Sequence, residues 1–230
     1  MTHKRYDIPK DLRYLQLLSH SFPTIAEAST EIINLQAILN LPKATEHFVA
    51  DIHGEYEAFQ HILKNASGNI KRKVNELFGT TLRDAEKREL CTLIYYPEQK
   101  LELVKASEPD INDWYHITLH HLVAVCRDVS SKYTRSKVRK AMPRDFAYII
   151  DELLNYSEAD EDDNRTTYVH NIVRNIIEVG SADAFIIAIS ELIQHAVIDK
   201  LHIVGDIFDR GNGAHKVMDA LTQYNNVDIQ

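Results

Sequence analysis

Twice in this chain of 230 residues a short apolar, β-like run ends in acidic residues and glycine and then passes into a helical pattern. The first run is His47-Phe48-Val49-Ala50, followed by Asp51-Ile52-His53-Gly54 and then by Tyr56, Phe59 and Leu63 at helical spacing. The second is Leu201-His202-Ile203-Val204, followed by Gly205-Asp206-Ile207-Phe208-Asp209-Arg210-Gly211 and then by Val217, Met218 and Leu221. Strand, loop and helix in that order predict an α/β fold, and both acidic strings fall at the carboxyl ends of strands, where open α/β sheets form ligand sites. Only seven glycines occur in the chain, and Gly54, Gly205, Gly211 and Gly213 lie in or beside these strings. Hard carboxylates with an imidazole on glycine-tight turns suit divalent cations such as Mn²⁺, Fe²⁺ or Zn²⁺. The residues therefore point to a metal-dependent hydrolase acting on phosphate esters. The plainer reading is a strand end capped by acidic turn residues, since Asp and Gly favour turns anyway. The order of the two strings and the strand before each argue against it.

The chemistry of each residue suggests a role. Asp51 and His53 alternate in a segment expected to be extended, so both would point to one side and grip one ion. Asp206 has two oxygens and can bridge two cations, between which a water becomes the nucleophile. Arg210 can hold phosphate oxygens through its planar fork, and Asp209 suits an outer acceptor that orients a catalytic imidazole.

Asp-x-His-Gly and Gly-Asp-x-x-Asp-Arg-Gly resemble the first two signatures of the calcineurin-like metallophosphoesterases. The flanks are similar to one branch, the bacterial class 3 fructose-1,6-bisphosphatases. The similarity includes Val49 to Phe59, Gly205 to Gly211, Gly213-Ala214-His215-Lys216-Val217-Met218-Asp219 and the opening Arg13-Tyr14-Leu15-Gln16-Leu17-Leu18-Ser19. Asn212 stands where the family pattern would have proline. The resemblance implies a partial calcineurin-like core (a βαβαβ start) and hydrolysis of fructose 1,6-bisphosphate to fructose 6-phosphate and phosphate, a step of gluconeogenesis. It implies a two-metal Mn²⁺ site, with Mg²⁺, Fe²⁺ or Zn²⁺ as alternatives. Asp51 and His53 would hold one metal, Asp206 would bridge, Asp209 would orient and Arg210 would bind phosphate. The family's third signature, Gly-Asn-His, follows a third strand. Asn226-Val227-Asp228-Ile229-Gln230 reads as the start of that strand, and no Gly-Asn-His occurs in the sequence. The chain is thus expected to be the amino-terminal part of a longer catalytic unit and to be inactive alone. Two other readings stay open: a protein phosphatase or dinucleotide polyphosphatase of the same superfamily, and a non-catalytic fragment that binds phosphate ligands or a partner.

Residues 55–204 separate the two strings, against about 30 residues for an ordinary βαβ unit. Helical patterns fill that stretch, at Glu86–Tyr96, Pro97–Ala106, Asn112–Ser131, Asp145–Tyr156, around Val169, Ile172, Val173 and Ile176, and from Phe185 to Ala196. Gly180 reads as a cap between the last two. The expected organisation is a helical amino-terminal segment over 1–44, core segments at 45–67 and 179–230, and an all-helical insertion over 68–178. In the first segment Thr24 and Glu27 form a capping box, with Ile25, Ala28, Ile32 and Leu39 on one face. The run from Glu158 to Asp163 reads as a solvated loop. Lys132, Arg135, Lys137, Arg139, Lys140 and Arg144 read as a solvated face or an intersubunit contact, and His116 and His120 as ordinary surface or core histidines.

Composition sets the class. A 44% hydrophobic fraction supports a core, and no apolar run approaches the roughly 20 residues of a transmembrane helix. Cys91 and Cys126 fit reduced, buried thiols, and the opening residues lack the apolar stretch of a secretory signal. A cytoplasmic protein is the expectation. The net charge of −8 argues against nucleic acid as a partner but not against a small sugar bisphosphate, because bound cations reverse the local charge. A homo-oligomer is left open.

Overall fold

The computed structural model describes residues 8–43, 45–156, 163–224 and 226–229. The chain divides into two compact units, Met1–Pro42 and Lys43–Gln230. The first holds helices α1 (Ile8–Ser21) and α2 (Ile25–Ile38). Thr24 caps α2 as expected: its hydroxyl accepts the Glu27 amide at 3.2 Å while the Glu27 carboxylate accepts the Thr24 amide at 3.0 Å. The apolar stripe of α2 does not seal a core, since Ile25 is 88% and Leu39 84% exposed.

The second unit is mainly helical with one small sheet. Strands β1 (Glu46–Ala50), β2 (Lys200–Val204) and β3 (Val227–Ile229) pair in parallel in that spatial order. β1 alternates, with His47 and Val49 buried between exposed neighbours, whereas in β2 Leu201, His202 and Ile203 are all buried, His202 stacking on Phe48. After β1 come α3 (Tyr56–Asn65), a 3₁₀ turn at Ala66–Gly68, α4 (Asn69–Phe78), α5 (Asp84–Tyr95), α6 (Pro97–Ser107) and α7 (Ile111–Ser130). Next are α8 (Arg135–Ala141), α9 (Ala147–Leu154), α10 (Asp163–Glu178) and α11 (Ala182–Val197), and α12 (Ala214–Leu221) follows β2. The loop read at Glu158–Asp162 lies outside the described residues. Gly180, at φ +74°, ends α10 in a Schellman turn in which the Ser181 amide donates to the Ile176 carbonyl and the Gly180 amide to Ile177.

The core runs through α7 and α11. Leu119, Leu122, Cys126, Phe185, Ile186, Ile189 and Ile193 are fully buried, each large apolar side chain contributing about 1.5–3 kcal/mol by leaving water. Cys91 and Cys126 are free buried thiols, and burial pushes Cys126 up to about 12. None of the helices among the described residues is long and apolar enough to cross a membrane.

Arg135, Lys137, Arg139, Lys140 and Arg144 of the basic run are exposed, as a solvated face should be, and Lys132 alone departs from it. The Lys132 side chain is half-buried and donates to Thr45 Oγ1 at 3.2 Å and the Val197 carbonyl at 3.1 Å, and burial lowers its pKa to about 8. Arg135 forks onto the buried Asp151 carboxylate at 2.8 and 3.2 Å, and Lys137 pairs with Asp199. The reason is position: Lys132 leaves the end of α7 where the chain enters β1 and where α11 hands over to β2. One side chain thereby fixes the starts of both strands whose far ends carry the acidic strings.

Candidate active site

Strand register brings the two strings together. Ala50 pairs with Val204, so Asp51 and Gly205, the next residue on each strand, stand side by side. The Asp51 amide continues the ladder by donating to the Val204 carbonyl at 3.1 Å. The loops then lock backbone to backbone: His53 N–H donates to Asp206 O at 3.0 Å, Gly211 N–H to His53 O at 2.5 Å and Gly213 N–H to Gly54 O at 3.1 Å. Ile52 and Ile207 turn inward, each 6% exposed, and anchor the loops to the core.

The segment through Asp51 and His53 is not extended, contrary to the alternation read from sequence. β1 ends at Ala50, and Asp51 and His53 both adopt φ of +53°, the left-handed region that non-glycine residues rarely occupy. The cause is the junction itself. A Cβ on Gly54 would lie 2.5 Å from the Gly211 carbonyl oxygen, so the chain must curl tightly after β1 to bring these backbones together. Such local strain persists where surrounding bonds over-determine it and concentrates at functional sites.

Three side chains converge on the loops. One ligand atom from each of His53, Asp206 and Asp209 falls within 4.8 Å of the others, a group able to hold a metal ion. His53 Nδ1–H donates to Asp209 Oδ1 at 2.5 Å, and this bond, ahead of the charge of Arg210, holds the Asp209 carboxyl below its ordinary value. An ionised carboxylate only accepts, so the ring proton sits on Nδ1 and the Nε2 lone pair is left for a cation. Arg210 is 71% exposed, with Nε 3.7 Å from Asp209 Oδ2. One nitrogen and several carboxylate oxygens fit a borderline-hard divalent ion, whichever metal is bound.

Of the residues expected at the site, His53, Asp206 and Asp209 are thus assembled, with Arg210 beside them. Asp51 lies at the edge: its carboxylate packs against Gly205 and is not a member of the close group. Asp209, expected to orient a catalytic imidazole, is bonded instead to the imidazole of His53, a residue read as a metal ligand. Sequence reasoning missed the part played by Gly213, where a Cβ would meet Tyr56 Cβ at 2.7 Å. Its place among the clustered glycines was the only available signal.

Residues 13–230 match the family model described as Firmicute fructose-1,6-bisphosphatase. Among similar curated proteins is a class 3 fructose-1,6-bisphosphatase of Bacteroides thetaiotaomicron, 68% identical over 96% of this chain and 33% of its own length. Those of Phocaeicola vulgatus and Clostridium novyi are 66% and 62% identical over 97% of this chain and 33% of theirs. The chain therefore spans about a third of the length of the relatives it matches. No solved structure matches it.

Proposed function

The chain belongs to the Firmicute fructose-1,6-bisphosphatase family, and from that premise we propose that it forms part of the active site of a metal-dependent phosphomonoesterase acting on fructose 1,6-bisphosphate. The observation that carries this reading is the convergence of His53, Asp206 and Asp209 on two interlocked strand-end loops, with an exposed arginine alongside.

Asp51, His53 and Asp206 would hold the cations, with Mn²⁺ the expected metal. Bound cations supply Lewis-acid neutralisation of the phosphoryl oxygens. The chain's own residues do the rest. Asp209 would fix the His53 tautomer and ring plane through Nδ1, leaving Nε2 as the ligand atom. Asp206 leaves the shared loop with its carboxylate toward the imidazole. Arg210 grips the phosphate of the substrate through paired N–H donors, which orients the ester for attack. The strands and flanking helices at 45–67 and 179–230 are the first part of a calcineurin-like core, preceded by a helical segment at 1–44 and interrupted by the helices of 68–178. Support for this division comes from β1 and β2, which are neighbours in the sheet although most of the chain lies between them.

The test is an assay of this chain completed with the remaining segment of the Bacteroides thetaiotaomicron relative, supplied with Mn²⁺. Phosphate should be released from fructose 1,6-bisphosphate at least about tenfold faster than from a phosphopeptide or a dinucleotide polyphosphate, about 1.4 kcal/mol of discrimination. The reverse preference would overturn the substrate, and no release from any of them would leave only a phosphate-binding role.

A further inference from the structure

The seven glycines fall into two groups by what a side chain at each would meet. A Cβ on Gly68, Gly79 or Gly180 would meet nothing within 4 Å. These end helices or turns, and their need is for a left-handed backbone alone. At Gly54, Gly205, Gly211 and Gly213 a Cβ would come within 3 Å of another atom. At three of these the obstacle includes backbone of the partner loop. Gly205 differs: its nearest neighbour is a functional group, the Asp51 carboxylate, whose Oδ1 would lie 2.4 Å from the added carbon.

We propose that Gly205 is a positioning residue for Asp51, its bare α-carbon forming the seat on which the Asp51 carboxylate rests. Strand register supplies the geometry. Ala50 and Val204 are partners, so the residues that follow them lie one strand spacing apart, about 4.8 Å. Asp51 is turned left-handed at φ +53° and its amide is fixed to the Val204 carbonyl, which leaves its side chain little choice but to cross above the neighbouring strand. It crosses at Gly205, itself at φ +84°. With any side chain there, the carboxylate has to rotate away or the two strand ends have to part. Asp206 follows immediately, so the same glycine sets the offset between the Asp51 and Asp206 carboxylates. That offset determines whether the two act on neighbouring ions. This consequence rests on the proposed role of Asp51 as a metal ligand, whereas the seat itself is a matter of packing.

A double-mutant cycle separates seat from backbone strain. Alanine at φ +84° is strained whatever stands opposite, so G205A should lower the unfolding temperature of the metal-free 230-residue chain in every background. The seat adds a second cost only where the position-51 side chain is present. G205A should therefore destabilise the wild-type and D51N chains more than the D51G chain, in which nothing is left to clash. Mn²⁺ titration followed by electron paramagnetic resonance supplies the second readout. G205A should weaken Mn²⁺ binding by about 10- to 100-fold, the range for disturbing a ligand's support, and should weaken it no further in D51G. Equal loss of stability in the wild-type and D51G backgrounds would overturn the proposal. If G205A does not fold, D51G/G205A should, and a double variant that is equally unfolded would also overturn it. Should D51G bind Mn²⁺ like wild type, the ligand role of Asp51 falls, while the stability cycle still decides the seat.

Discussion

The helical body and the loop junction are ordered by opposite means. In α7 and α11 side chains create the order: Leu122, Phe185, Ile189 and Ile193 fill the interior, and Phe146 meets Phe185 edge to face at 5.3 Å. At the junction the absence of side chains creates it. Gly54, Gly205, Gly211 and Gly213 let two backbones touch, and the residues proposed to carry the chemistry stand out toward solvent, Asp209 at 46% and Arg210 at 71% side-chain exposure. The body can lose function only by losing stability. The junction can lose function while the body stays folded, because its exposed groups contribute little to the core.

The comparison is sharpest with a pair of substitutions. Phe185→Ala empties a large volume in the body and should cost about 3–5 kcal/mol in denaturant unfolding. Mn²⁺ affinity per folded molecule should stay at the wild-type value. Asp206→Asn should do the reverse, lowering turnover of the completed enzyme by about 10²–10³-fold, as expected for one group removed from a preorganised electrostatic site. Its unfolding curve should overlay that of wild type. A stability loss in Asp206→Asn as large as that in Phe185→Ala would erase the distinction.

Arg210→Lys should be milder. The ammonium keeps the charge and loses the fork, so turnover should fall about tenfold, mainly through weaker phosphate binding. A steady-state assay with wild-type constants would remove Arg210 from the phosphate site.

Acid should act first on the body. Burial, with a smaller contribution from the charge of Lys132, lowers the pKa of His47 from 6.5, and burial does the same to His195. A group held neutral in the fold binds fewer protons there than in the unfolded chain. The stability it confers is therefore complete above pH 6.5 and is lost as pH falls from 6.5 toward the lowered folded values. The carboxyl of Asp209, shifted down by its bond from His53, stays ionised through that window. Asn69 Nδ2 lies 3.1 Å from His47 Nε2, and thermal melts at about pH 7.5 and 5.5 should show a drop that shrinks in His47→Gln, whose amide oxygen can accept from that same Asn69. An unchanged drop would acquit His47.

Much of this was legible in the sequence, for different reasons in the two regions. Apart from α8, the helices from Asp84 to Val197 announce themselves by apolar periodicity, because burial of one face is what makes them helices. The stops at Gly180 and the cap at Thr24 are equally local. α4 and α8 were not read: Asn69–Phe78 buries only Ile70 and Val74, and Arg135–Ala141 buries nothing, so neither carries a full apolar stripe. In the site, residue types were visible but angles were not. Nothing in the string Asp51-Ile52-His53-Gly54 tells that Asp51 and His53 turn left-handed, because that depends on Gly211 arriving from the other loop. Lys132 was misread for the same reason, since its partners Thr45 and Val197 are brought to it only by the fold.

We infer that the junction of this chain is one part of a metal-binding phosphatase site, held together before any ion arrives. Calorimetric titration of Mn²⁺ into the 230-residue chain, beside its Asp206→Asn variant, tests it most directly. Among the described residues one close group of donors, His53, Asp206 and Asp209, converges on the loops, so wild type should show one weak site and no release of phosphate from fructose 1,6-bisphosphate. The variant should bind at least about tenfold more weakly while melting at the same temperature. Equal Mn²⁺ binding by the two chains would contradict the account, and so would two tight sites with turnover in the wild-type chain.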